Sequence, residues 1–96
     1  MEIKTKSGFK CKVNENKVKD WRYIRDSAKL AKSKDDIEIV NGVDALMSFV
    51  LGDEYERLMN HLAKDGIVDS NELIATYREI TDRIGEQLKK SNSSQG

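Results

Sequence analysis

Strict alternation marks the first stretch of the chain. Ile3, Thr5, Phe9, Cys11 and Val13 are apolar or β-prone, with Lys4, Lys6, Lys10 and Lys12 between them. A period of two predicts strands with one buried face, here a hairpin over residues 2–13. A two-residue loop at Ser7-Gly8 would pair Lys6 with Phe9 and mix the faces. A three-residue loop, Lys6-Ser7-Gly8, pairs Thr5 with Phe9 and Ile3 with Cys11 and keeps one face apolar. It also places Gly8 where a left-handed backbone is needed. Lys4 and Lys10 then lie opposite each other on the outer face, a mildly destabilising arrangement.

Beyond residue 16 the period changes to that of a helix. Asn14 or Asn16 is a capping candidate. Over residues 17–32, Trp21, Ile24, Ala28 and Ala31 form one stripe with Val18 near its edge, which predicts the buried face. Arg22, Arg25, Lys29 and Lys32 form a basic stripe beside it. Tyr23 and Leu30 fall off the apolar stripe. Ser33-Lys34-Asp35-Asp36 is a polar connector with further caps. A second helix, about 36–51, gathers Ile39, Val40, Val43, Leu46, Met47 and Val50 within an arc of about 120°. Phe49 lies outside that arc, on a flank with Gly42 and Ala45. Gly52 ends this helix, and Asp53 with Glu56 three residues on reads as a capping box. A third helix, about 54–64, offers Tyr55, Leu58, Met59 and Leu62. Lys64-Asp65-Gly66 stops it and Ile67-Val68 is extended. Asp69 then caps a fourth helix, about 70–88, with Leu73, Tyr77, Ile80, Ile84 and Leu88 on one stripe, flanked by Ile74. Residues 89–96 have nothing to bury and are expected to be a disordered tail.

The pattern therefore predicts a mainly helical α+β fold. An N-terminal β-hairpin is followed by about four α-helices in a single domain over residues 1–88. A length of 96 residues fits one small core, and the absence of proline agrees with helices. Cys11 is the only cysteine. It permits no internal disulfide and no cysteine-based zinc site from this chain alone, which suits a reducing cytoplasm. The lysine-rich start has no apolar run of the signal-peptide kind, and no stretch is long and apolar enough to span a membrane.

Net charge is zero, with 17 basic and 17 acidic side chains, yet the charges are segregated. Residues 1–34 carry 11 basic and 4 acidic side chains, residues 35–86 carry 4 and 13, and residues 87–96 add two lysines. Lys4 and Lys10 with Arg22, Arg25, Lys29 and Lys32 make a basic surface against an acidic helical body. That complementarity admits a homo-oligomer. Nucleic acid is disfavoured, because no aromatic residues interleave with the hairpin lysines.

Candidate chemistry is sparse. Asp65 to Leu73 looks like the second half of a calcium loop, but its first and third ligand positions fall on His61 and Ala63, which do not suit calcium. His61 has no nucleophile at a telling spacing, although Cys11 or a serine is a formal partner. The carboxylates at helix starts serve the macrodipole. No glycine-rich phosphate loop is present. No catalytic, metal or cofactor site is expected. The sign of a partner is apolar: Phe49, and the off-stripe pair Tyr23 and Leu30, point away from the predicted core, with Met47 and Met59 as adaptable contacts.

The run K-S-G-F-K-C-K-V (residues 6–13) followed by Asp20-Trp21 resembles the start of small tail assembly chaperones of long-tailed bacteriophages and prophages of Gram-positive hosts. V-L-G-D-E-Y-E-R-L (50–58), His61-Leu62, D-G-I-V-D (65–69) and Y-R-E-I (77–80) are similar to the later layout of that family. The resemblance implies a non-enzymatic protein of the host cytoplasm. Such a protein binds the tape measure protein, keeps it soluble, assists tail-tube protein assembly and is not expected in the mature virion. It also implies a frameshifted longer product, with Lys89-Lys90 at the slippery codons. The rivals are a small nucleic-acid-binding regulator using the basic hairpin and first helix, and a structural component of the particle.

Overall fold

The computed structural model describes residues 1–93. A two-stranded antiparallel sheet, β1 (Glu2–Lys4) and β2 (Lys10–Lys12), precedes α1 (Glu15–Val18), α2 (Trp21–Lys32), α3 (Asp36–Leu51), α4 (Glu54–Leu62) and α5 (Ser70–Ser93). The fold is thus α+β and mainly helical, as the pattern predicts.

The hairpin has the expected register. Ile3 faces Cys11 and Lys4 faces Lys10. The Thr5 amide donates to the Phe9 carbonyl at 2.9 Å, so the loop has three residues, and Gly8 takes φ +93° at its end. Ile3, Thr5, Phe9, Cys11 and Val13 are all buried. The outward backbone groups of the strands are occupied by side chains. Gln87 Nε2 donates to the Glu2 carbonyl at 2.8 Å, the Lys6 amide donates to Glu79 Oε2 at 2.7 Å, and an Arg57 guanidinium nitrogen donates to the Lys10 carbonyl. These contacts dock the hairpin on α5 and α4 and blunt its edges against pairing with another strand.

The helical segment expected over 17–32 is two helices. Asn14 caps α1, accepting from the Asn16 amide at 2.8 Å. Asp20 is extended and accepts from the Arg22 amide at 2.8 Å, which starts α2 on a new axis. This break sets a different face inward. Tyr23 is buried, whereas Trp21 is 72% and Ile24 49% exposed, and Ala28 and Ala31 are exposed too. The predicted core stripe of this helix is therefore its outer one. The reason lies on α3: Gly42 leaves a notch filled by Leu30, whose Cδ1 stands 2.8 Å from where a Cβ on Gly42 would sit. Leu30 in that notch turns Tyr23, one helical face along, into the core.

On α3 the core begins at Val43 and continues through Leu46, Met47, Val50 and Leu51. Val40, expected inside, is 52% exposed, because Ile39 and Val43 supply the side of this turn that packs on the core. Asp53 does not cap α4. It has helical φ/ψ and no side-chain cap bond; the tight joint at Gly52 lets the Gly52 carbonyl accept from the Tyr55 amide instead. α4 ends at Leu62, two residues early, because Lys64 pairs with Ile67 across a two-residue turn with Asp65 at φ +54° and Gly66 at φ +78°. Asp69 caps α5 through the amides of Asn71 and Glu72, at 2.8 and 3.1 Å. α5 runs to Ser93, so residues 89–93 of the expected tail continue the helix. Residues 94–96 of that tail lie outside the described residues.

Asp69→Ala removes both cap bonds from the longest helix. A loss of about 1 kcal/mol is expected, read as a lower midpoint in urea with an unchanged slope.

Candidate partner-binding groove

α2 packs along α3, and α3 packs along α5. Between α2 and α5 the surface opens into a groove of about 790 Å³. On α5 its wall extends from Ile74 to Leu88, fourteen helical rises and hence about 21 Å of helix. The opposite wall is α2, with Ile24 and Ala31 on the lip and Tyr23 and Leu30 deeper; Ile39 and Val43 of α3 contribute to its lining. The floor is buried at Tyr23, Val43, Tyr77 and Ile84, while Leu30, Ile39, Ile74 and Leu88 are half-buried.

The floor also has a polar seam. Burial pushes the Tyr23 and Tyr77 phenols above their usual 10, an effect opposed by the neighbouring Ser27 hydroxyl. Both phenols stay neutral at ordinary pH. Ser27 Oγ is shut off from solvent and completes no hydrogen bond among the described residues.

The structure corrects the expected contact set. Tyr23 and Met47 are core residues, at 8% and 2% exposure. Phe49 is half-buried, with the Lys17 ammonium 5.5 Å from its ring centre, because α1 and α2 cover the flank of α3 that the sequence leaves open. Met59 is half-buried on α4. Of the five, Tyr23 and Leu30 line the groove and the other three do not. Ile24, Ile39, Ile74 and Leu88 line it as well; the sequence marks Ile24, Ile39 and Leu88 as core positions and Ile74 as a flank, and only the separation of α2 from α5 opens them.

The basic residues divide between elements. Lys4 and Lys10 face each other on the outside of the hairpin, which packs on α5. Arg22 is paired with Asp20 at 3.1 Å and Arg25 with Asp26 at 3.0 Å. Lys29 and Lys32 are exposed on α2 and form no ion pair among the described residues.

His61 and Ser7 meet, 54 residues apart in sequence: Ser7 Oγ is 3.1 Å from His61 Nε2, and the imidazole lies 5.5 Å from the Phe9 ring. Both partners are exposed, and the contact ties the hairpin turn to α4. In the calcium-like segment, Asp65 and Gly66 make the turn, Asp69 caps α5, and Glu72 accepts from Lys64 Nζ at 3.3 Å. Among the described residues no group of three or more His, Cys, Asp or Glu is placed to hold a metal ion, and no helix is long and apolar enough to cross a membrane.

Cys11 is 3% exposed, and burial, reinforced by Glu54, pushes its thiol from 9.0 up to about 11. A neutral thiol is a poor nucleophile. Thiol-reagent labelling at pH 8 is expected to be orders of magnitude slower in the folded chain than in denaturant. Because the unfolded chain loses this proton first, stability should fall as pH rises from about 9 to about 11 and be indifferent to Cys11 below that window.

The chain matches no protein-family model, no curated protein and no solved structure.

Proposed function

We propose that this chain is a non-enzymatic assembly chaperone of a long-tailed phage or prophage, which holds an apolar helical stretch of the tape measure protein while tail-tube subunits assemble around it. The groove between α2 and α5 is the observation that carries this reading. It is open, lined mainly by apolar side chains and long enough for several helical turns. The motifs from Lys6 to Val13 and from Val50 to Leu58 supply the resemblance that names the partner. The chaperone acts in the host cytoplasm and leaves before the particle is complete.

The local ion pairs of Arg22 and Arg25 weigh against the nucleic-acid reading, since half of the α2 stripe is already engaged. Co-expression with the tape measure protein tests the proposal. The tape measure protein should move from pellet to supernatant in the presence of this chain, and mass spectrometry of purified virions should find none of it. An unchanged pellet sinks the chaperone reading; stoichiometric recovery in virions makes the chain a structural component.

A further inference from the structure

The groove's shape and charge identify the partner segment more closely; this step rests on the reading above. We propose that the groove takes an amphipathic α-helix of about four turns whose apolar stripe is flanked by acidic side chains.

The argument for a helix is geometric. The α5 wall is about 21 Å long from Ile74 to Leu88, the length of fourteen helical residues. Both long walls are α-helices whose backbone groups are already bonded within the helix, so an extended peptide would find no strand edge to pair with. A third helix between α2 and α5, over Ile39 and Val43, would instead set side-chain ridges into the spaces along both walls. Ile24 and Ala31, seven residues apart on α2, repeat at two-turn spacing along the lip and suit contacts at the same spacing on a partner helix.

The argument for acidic flanks is charge. Lys19 and Arg78 line the groove and have no ion-pair partner among the described residues. Among the described residues Asp82 is the only acidic one in the lining. Arg22 and Arg25, engaged by Asp20 and Asp26, take no part. A helix with lysines beside its apolar stripe would set like charges against Lys19 and Arg78. One with glutamates would give them counter-charges.

Two synthetic peptides of about 18 residues test this, sharing one apolar stripe and differing only in Glu or Lys at the flanking positions. Each is labelled with fluorescein and titrated with the full chain by anisotropy. The Glu peptide should bind at least about tenfold tighter at about 50 mM salt, with the gap closing toward about 500 mM. The charge reversals Lys19→Glu and Arg78→Glu together, both at exposed positions, should erase or invert the preference. Equal affinities overturn the acidic-flank inference but leave the groove reading standing. Failure of both peptides to bind overturns the groove reading itself. If light scattering shows a dimer that excludes the Glu peptide, the occupant is a second copy and the proposal is wrong.

Discussion

Leu58→Ala is expected to cost about 3 kcal/mol and to lower the melting temperature by about 12–24 °C. Leu58 is fully buried, and α4 has only nine residues, fewer than the roughly 12–15 an isolated helix needs. It also has no side-chain cap at Asp53. Its helical state therefore depends on burying Leu58 and Leu62 and on the Arg57 guanidinium. That group reaches the Lys10 carbonyl and Glu54 and lies 4.5 Å from the Phe9 ring centre. Losing Leu58 leaves a cavity where α4 meets the rest of the core. For a domain this small, total stability is about 5–14 kcal/mol, so the loss is a large share. Circular dichroism at 222 nm reads it directly. Ile67→Ala, at a position 70% exposed, is the control and should change stability by less than about 0.5 kcal/mol. A Leu58→Ala shift no larger than that of the control would mean that α4 is not part of the cooperative unit.

The hairpin and the first helical segment show where sequence pattern suffices and where it does not. The hairpin was readable because two constraints agree: alternation fixes the inner face, and only a three-residue loop ending at Gly8 keeps that face continuous. In α2 two apolar faces compete. Trp21, Ile24, Ala28 and Ala31 make the more regular stripe, yet the core takes Tyr23, with Leu30 packed against it. What decides is Gly42, one helix away. A small residue lets α2 approach α3 closely, and Leu30 fills the space. The sequence contains that signal, since Gly42 and Ala45 share the flank of α3 that the apolar pattern leaves unoccupied. It takes effect only once α2 is known to break at Asp20 and return along α3. The same displacement explains Phe49. It is the most conspicuous off-core residue in the pattern, but α1 and α2 cover it.

The groove was not readable for a different reason. Ile24 and Leu88 are 64 positions apart, and each satisfies its own helical period as a core residue. Periodicity reports which side of a helix is apolar; it does not report whether two such sides close on each other or stand apart. Here α2 is held by α3 and α5 by α3, α4 and the hairpin, so the remaining apolar sides of α2 and α5 face the gap between them.

That arrangement sets the second large effect. Ile24→Glu combined with Ala31→Glu should reduce affinity for the tape-measure segment by about 100-fold or more while moving the melting temperature by no more than a few degrees. Both residues are exposed on the lip, so the folded chain keeps its core and little stability is lost. In the complex the two carboxylates would be desolvated against the partner's apolar stripe without a counter-charge, and would repel acidic flanks. Truncating an apolar contact that an interface covers commonly costs about 2 kcal/mol or more at a hot spot, and burying a charge adds to that. The contrast with Phe49→Ser makes the test specific. Phe49 is half-buried beneath Lys17 and outside the groove lining, so its loss should lower stability by about 1–2 kcal/mol and leave binding by the folded fraction unchanged. Co-expression solubility of the tape-measure segment, with circular dichroism of each variant alone, separates the two outcomes. If Phe49→Ser abolishes binding at full stability while the lip variant still binds, the contact surface is the α3 flank and not the groove.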